Sequence, residues 1–383
     1  MATTPNPLAS SDLASFARRL REGAVTAEGV TREFLARIAA HDARIGSFTH
    51  VAAEAAIETA RAVDAMRHAG VDLGPLMGVP VALKDLFFVD GMPTRAGSRV
   101  DIGDLVGPEG RLVGTLRRQG AILLGKLKQS EFALATNITH DPPWNPWDLA
   151  VKRQAGTSSG GSAVAMACGF AAFTIGSDAG GSVRQPAALN GVFGYKASVG
   201  HLPTDGALEL SATFDSIGTF HPCAADAAHV LAALRGEPPI ARRSVRGLRL
   251  GLDRRFAFAG ADPEIAARFE AALADLERAG AELVAMDTPG IPEIAVMASR
   301  LVPAEMVAFF GRDRLLANRE RIDPVAWTRL GVGLELPAHE YLTLLRLHRD
   351  LVRRGIAAMS GLDGWVMPTV PELPLPIADF DTV

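Results

Sequence analysis

Between Leu13 and Ile45 apolar residues recur at helical spacing, with Phe34, Leu35 and Ile38 on one face and polar or basic residues between them. Gly23 falls where one helix would end and the next begin. The pattern predicts a helical N-terminal arm over about residues 1–70. The period then changes. Gly78-Val79-Pro80-Val81-Ala82-Leu83 and Ala121-Ile122-Leu123-Leu124 are short unbroken apolar runs after helical stretches, as expected of buried parallel strands. Further on, Asp226 is placed to cap a helix running through Leu234, and Leu248 to Leu252 reads as a strand. The clearest helix begins at Asp262-Pro263. Ile265, Phe269, Leu273 and Leu276 share one face of it, and Gly280 ends it before the strand-like Glu282 to Met286.

Strands and helices thus alternate along most of the chain, without repeats, low-complexity tracts or a clear linker. This predicts an α/β protein: one three-layer α/β/α domain over 1–383 around a central mixed, mainly parallel twisted sheet. Its parts are the arm, a core of about 71–235 and a C-terminal part of 236–383.

Composition narrows the partners rather than the fold. Apolar residues make up 48% of the chain and aromatics only 6%, which suits helices packed closely on a sheet. The net charge is −4 with both signs interspersed, so nothing favours nucleic acid or an anionic membrane surface. Cys168 and Cys223 lack CxxC spacing and read as reduced thiols. The N-terminus has no basic start followed by an apolar run, and no apolar stretch is long enough to cross a bilayer. A soluble cytoplasmic protein is expected.

Candidate chemistry is concentrated in two stretches, Gly156-Thr157-Ser158-Ser159-Gly160-Gly161-Ser162-Ala163 and Gly176-Ser177-Asp178-Ala179-Gly180-Gly181-Ser182-Val183-Arg184-Gln185-Pro186-Ala187. Glycines open backbone angles closed to other residues and leave amides uncovered, so each stretch can aim N–H donors at a small reacting group. A single such stretch is more often a turn or a helix entrance. The first also fits the G-x-S-x-G elbow of α/β-hydrolases, but that elbow must follow a strand, and here polar Lys152-Arg153-Gln154 precede it. Gly120 to Lys126 has the spacing of a phosphate-binding loop, yet Leu127 stands where a Ser or Thr is needed, so it reads as a strand. The nine histidines form no metal-binding pattern.

Together with Gly78-Val79-Pro80-Val81-Ala82-Leu83-Lys84-Asp85, the two stretches resemble the amidase signature family. Lys84 falls in the family's G-[IV]-P-x-x-x-K-D pattern, and Ser158 and Ser182 have the family's serine spacing. The resemblance extends through Met92-Pro93-Thr94, Ala96-Gly97-Ser98, Asn145 to Asp148, Asp215-Ser216-Ile217-Gly218 and Pro368 to Pro371. It implies Ser182 as the acylated nucleophile, Ser158 as a bridging serine after a cis peptide, and Lys84 as the base. It also implies an oxyanion hole from the amides of Ala179, Gly180, Gly181 and Ser182.

For Lys84 the structural alternative is an ion pair with Asp85. Ser159, Asp178, Arg184 and Glu131 are expected in substrate binding or loop support, Asp178 with Arg184 as a brace and Glu131 in a stretch that resembles the edge of the family's acyl pocket. A lysine can serve as base only when neutral, so burial behind Val79 to Leu83 must lower its pKa from the usual value of about 10.4, with Asp85 opposing.

The implied reaction is hydrolysis of a small carboxylic amide or carbamate through an acyl-enzyme, with no cofactor and no metal, no nucleic-acid or membrane partner, and a homodimer as the assembly allowed. A glutaminase subunit of a tRNA-dependent amidotransferase and a non-catalytic scaffold of the same fold are the alternatives. The chain departs from the family pattern at Thr157, Ala179 and Ala197. It also stops at Val383, where the family continues through another strand and helix, which leads to the expectation of an exposed sheet edge.

Overall fold

The short apolar runs become neighbours in space. The structure, a computed structural model, describes residues 12–134 and 141–379. Strands β1 (Phe48–Val51), β2 (Pro80–Lys84), β3 (Ile122–Leu127), β4 (Phe173–Asp178), β5 (Phe193–Lys196) and β6 (Ser216–His221) form one sheet in the order β1-β3-β2-β4-β6-β5. β2 runs parallel to β3 and β4, while β1, β6 and β5 pair antiparallel. Every residue of β2, β3 and β6 is buried, which explains why the central strands read as continuous apolar runs rather than alternating ones. Gly120 to Lys126 is indeed the entry to a strand and not a phosphate loop.

The arm is helical as expected, with α1 (Leu13–Arg21) and α2 (Ala27–Ile45) separated at Gly23, whose φ of 73° lies in the left-handed region. Its helicity is interrupted by β1 before α3 (Ala53–His68) begins, a four-residue strand too short to show a period. α4 (Arg111–Arg118), α5 (Gly160–Ala167), α6 (Arg184–Asn190) and α7 (Ala224–Arg235) follow. Asp226 does not cap α7: it sits inside the first turn and accepts the amide of Leu13 at 2.9 Å, docking α1 onto α7. A distant amide donor thus takes the carboxylate that the local pattern assigned to its own helix.

Beyond residue 236 lie β7 (Arg249–Leu252), α8 (Arg254–Ala257), α9 (Pro263–Arg278), β8 (Glu282–Ala285), α10 (Ile291–Phe310), α11 (Arg312–Ala317), α12 (Pro324–Glu335), α13 (Ala338–Ala358) and β9 (Gly364–Trp365). Asp262 caps α9 by accepting the amide of Glu264 at 2.8 Å, with Pro263 in the first turn. β8, β7 and β9 form a second, all-parallel sheet, so the expected mixed, mainly parallel strand pairing is divided between two sheets. Burial is thinner here: of the apolar face on α9 only Leu273 is fully buried. The principal core cluster extends from Leu13 through the six-stranded sheet to Leu330. Among the described residues no helix is long and apolar enough to cross a membrane.

Candidate active site

Parallel pairing places the end of β2 beside the end of β4, with Leu83 opposite Ile175. Lys84, the last residue of β2, is completely buried there. Its Nζ donates to Ser158 Oγ at 2.6 Å and to Ser177 Oγ at 2.9 Å. Burial pulls Lys84 from 10.5 down to about 7, outweighing the opposing fields of Asp215 and Asp178. A substantial neutral fraction is therefore available near pH 7. Asp85 is not its partner. That carboxylate lies 3.2 Å from Lys126 Nζ on the neighbouring strand, so the ion-pair alternative describes Lys126.

Ser158 is held by a loop that interlocks with the second serine stretch. The Thr157–Ser158 peptide is cis, as expected. Thr157 N donates to Gln185 Oε1 at 3.0 Å, and Ser159 N to the carbonyl of Ser182 at 3.2 Å. Buried Ser159 also donates its hydroxyl to the carbonyl of Ser177 at 3.1 Å, so it supports the loop. Gly156 is required by contact as well as by its φ of 81°, since a Cβ there would lie 2.6 Å from Cα of Pro186. The first serine stretch enters α5 from a loop. It is the second that has strand–loop–helix form, between β4 and α6.

Asp178 organises the nucleophile loop. Its Oδ1 accepts Gly181 N at 2.8 Å and its Oδ2 accepts Val183 N at 2.9 Å. Arg184 donates to both oxygens through Nε at 3.1 Å and a terminal nitrogen at 2.8 Å, the expected brace. Burial pushes the Asp178 carboxyl up, but Arg184 and the two amides outweigh it and hold the group below the usual range. One expectation changes in consequence: the Gly181 amide is already bonded to the Asp178 carboxylate. The amides of Ala179, Gly180 and Ser182 have no acceptor among the described residues and remain as donors.

Half-buried Ser182 opens onto a cleft of about 800 Å³. Leu210, Val302, Arg329 and Pro371 form other parts of its wall, so the C-terminal part completes a cavity floored by the first sheet's loops. Among the described residues the Ser182 hydroxyl makes no hydrogen bond with Ser158, so the closed contact is Lys84–Ser158. Glu131 is not on the cleft wall. It is buried, accepts Ser98 Oγ and Asp323 N each at 2.6 Å, and holds the turn whose next residues, Ala133 and Leu134, do line the cleft.

Two participants were not singled out by the sequence reading. Ser177 carries no motif beyond its place before Asp178, and its contact with Lys84 spans 93 positions. Asp215, within the Asp215-Ser216-Ile217-Gly218 match, accepts the amides of Leu210 and Ser211 at 2.8 and 3.0 Å. Burial pushes its carboxyl up to about 6, and its field reaches Lys84. The same loop is tied to α10, where buried Glu305 accepts the hydroxyls of Ser211, Thr213 and Tyr341.

A model of the Amidase family matches residues 29–383. The chain is 35% identical to a glutamyl-tRNA(Gln) amidotransferase subunit of Salinispora arenicola, over 97% of this chain and 84% of that one. It is also 35% identical to 2-amino-5-chloromuconic acid deaminase of Comamonas testosteroni, over 97% and 82% of the two chains. Among solved structures, a crystal structure of an amidase matches with a TM-score of 0.88 and 33% identity over 95% of this chain and 83% of that one. A native peptide amidase from Stenotrophomonas maltophilia matches with a TM-score of 0.85 and 28% identity over 98% and 87%. Fold and matches together define an amidohydrolase acting on C–N amide bonds. The chain belongs to the amidase signature family.

Proposed function

We propose that the protein hydrolyses small carboxylic amides, with carbamates as a chemically similar substrate class, through an acyl-enzyme on Ser182. The observation that carries this reading is the completely buried Lys84, lowered to about 7 and in hydrogen-bond contact with Ser158. In the acylation step the Ser182 oxygen bonds to the carbonyl carbon. Its proton moves to Ser158 as the Ser158 proton moves to the neutral Lys84 amine. The developing oxyanion accepts from the amides of Ala179, Gly180 and Ser182, each donor in such sites being worth about a hundred- to a thousandfold in rate. When the C–N bond breaks, Lys84 returns the proton through Ser158 to the leaving amine. Water then attacks the ester by the same route, releasing the carboxylic acid and restoring Ser182.

On this reading the chain is one domain over 1–383, supported by the core that runs from Leu13 to Leu330. It works in the cytoplasm without a cofactor or a nucleic-acid partner, alone or as a homodimer. The free thiols Cys168 and Cys223 and the net charge of −4 are in keeping with this. The 35% identity to a subunit of an amidotransferase supports a second reading, a glutaminase component that needs a protein partner.

The test is a hydrolysis screen over aliphatic and aromatic amides, glutamine and carbamates, combined with fluorophosphonate labelling. Turnover by the purified chain and a label on Ser182 that disappears in Ser182→Ala are expected. Turnover of glutamine alone, and only with a partner and tRNA, would select the second reading. Folded protein that neither labels nor turns over any substrate, with or without partners, would leave the scaffold.

A further inference from the structure

Lys84 is completely buried, and it has two hydrogen-bond partners rather than one. On the proposed mechanism Ser158 serves Ser182. Ser177 does not line the cleft at all. It lines a second cavity, of about 460 Å³, together with Leu86, Glu209 and Asp215. The described linings of the two cavities have no residue in common. Strand pairing accounts for the arrangement. β4 and β6 run antiparallel with Ser177 opposite Ile217 and Asp178 opposite Ser216, which brings Asp215, just before β6, to the end of β4. Thr204, Asp205 and Ala212 on the same wall are exposed, so the cavity communicates with solvent.

The groups in this cavity suit the passage of protons. The Ser177 hydroxyl accepts from Lys84 Nζ at 2.9 Å and has no acceptor for its own hydrogen among the described residues. A hydroxyl is donor and acceptor at once, so it can receive a proton on one side while giving one up on the other. Asp215 accepts the amides of Leu210 and Ser211 through Oδ2 alone, which leaves Oδ1 without a hydrogen bond among the described residues. Burial pushes the carboxyls of Asp215 and Glu209 up, Asp215 to about 6, close to the value of about 7 for Lys84. Arg111, the cation on this wall, is paired with Asp205. A polar space this large has room for roughly a dozen waters to join the serine to the carboxylates.

The proposed cycle shows when such a route matters. With an amide, the proton that Lys84 takes from Ser182 departs with the amine, and Lys84 is neutral again for deacylation. A leaving group that departs as a stable anion, such as nitrophenolate, takes no proton. The Ser182 oxygen has then bonded to the acyl carbon, the bond to the leaving oxygen has broken, and Lys84 is left as the ammonium. Deacylation needs it neutral, while the acyl group occupies the cleft side of the relay.

We infer that Ser177 exchanges the Lys84 proton with solvent through the second cavity, by way of its water and the Asp215 carboxylate, independently of what fills the cleft. A proton lost from Lys84 passes to Ser177 as the Ser177 proton passes to water or Asp215, and from there to bulk water. Ser177 thus acts through Lys84 and not on the substrate. The inference rests on the hydrolase reading, with Lys84 as its base, and adds a second proton route to it.

The experiment compares p-nitrophenyl butyrate with butyramide, which share the butyryl-Ser182 intermediate, on the full chain and on Ser177→Ala and Ser177→Thr. It is run above the Lys84 value of about 7, where the free amine is the favoured form. Ser177→Ala loses a contact of the base and is expected to slow both substrates. The steady-state turnover of the ester should fall at least about tenfold further than that of the amide, behind a nitrophenolate burst of undiminished amplitude. Imidazole, a diffusible proton carrier small enough for the second cavity, should restore that extra loss and leave the amide rate where it is. Ser177→Thr, which keeps the hydroxyl, should need no imidazole. Equal losses on the two substrates, no recovery with imidazole, or a Thr variant that behaves like the Ala variant overturns the inference and leaves the hydrolase standing.

Should the Ser177 variants not fold, the wild type decides. A proton set free together with the nitrophenolate burst, recorded with a pH indicator dye, supports discharge of Lys84 while the acyl group is in place. A proton that appears only at the deacylation rate overturns the inference. Absence of both the burst and amide turnover removes the hydrolase reading and this inference with it.

Discussion

Two lysines lie at the ends of neighbouring parallel strands, and both are completely buried, yet their neighbours differ in kind. Lys126 on β3 has Asp85 3.2 Å away and Thr94 Oγ1 at 2.8 Å, a closed ion pair with a supporting hydroxyl. Lys84 on β2 touches only serine hydroxyls, and its acidic neighbours Asp215 and Asp178 act through their fields. Burial lowers both amines. Lys126 has a contacting counter-charge to hold its proton, whereas Lys84 is in contact with two serine hydroxyls and no carboxylate. On the proposed mechanism, what would make one buried lysine a base and the other a structural cation is the chemistry of the first neighbour rather than the depth of burial.

The comparison breaks most visibly in rate. Lys84→Ala is expected to lose about a hundred- to ten-thousandfold in kcat, and Lys84→Arg should not recover it because guanidinium stays protonated. A folded Lys84→Ala protein with near-normal turnover would remove the base. The corresponding change on β3 should act on stability instead. Lys126→Ala leaves Asp85 buried without its cation, a loss of about 3–5 kcal/mol in chemical denaturation, while Lys126→Met combined with Asp85→Asn restores most of it. A marked fall in the kcat of folded Lys126 variants would contradict the division.

Smaller effects sharpen the same contrast. kcat/KM should rise with pH through an ionisation near 7 and flatten above it, since only neutral Lys84 can accept the serine proton. Asp215→Asn removes a field that favours the ammonium, so the inflection should move to lower pH; Asn can still accept the amides of Leu210 and Ser211. A shift upward would reverse the sign argued for Asp215. The smallest effect is on the pH dependence of folding. The folded-state value of Lys84, about 7, lies below 10.5, so between the two the unfolded chain binds the extra proton and stability rises with pH. Lys84→Met should abolish that rise and be relatively most stabilising below pH 7, as read from denaturant midpoints at pH 6 and 9.

How much of this was legible in the sequence depended on whether the partner was local. Lys84, Ser158 and Ser182 could be placed through resemblance, and the strand ending at Lys84 through its apolar run. The helix at Asp262-Pro263 was legible because its cap and first turn are adjacent in sequence. Ser177 was not, since nothing near it in sequence announces a lysine 93 positions away. The Gly181 amide was assigned to the oxyanion through the resemblance, but Asp178, three residues earlier, accepts it. Glu131 was placed at a pocket edge through the resemblance, whereas its carboxylate accepts from Ser98 and from the amide of Asp323. Strand runs gave β7 and β8 individually. Their separation into a second sheet depends on pairing register, which an apolar pattern of four residues does not encode.

The bond from Leu13 to Asp226 has a consequence for how the chain is made. It joins positions 213 apart, so α1 emerges from the ribosome long before the helix that covers it exists. At about 5–20 residues per second, the interval is roughly ten to forty seconds. During that time Leu13, Phe16 and Leu20, all buried in the finished protein, lack the contacts of α7. Synthesis rate and chaperone supply should therefore influence the yield of this protein more than that of one whose first helix packs on its second.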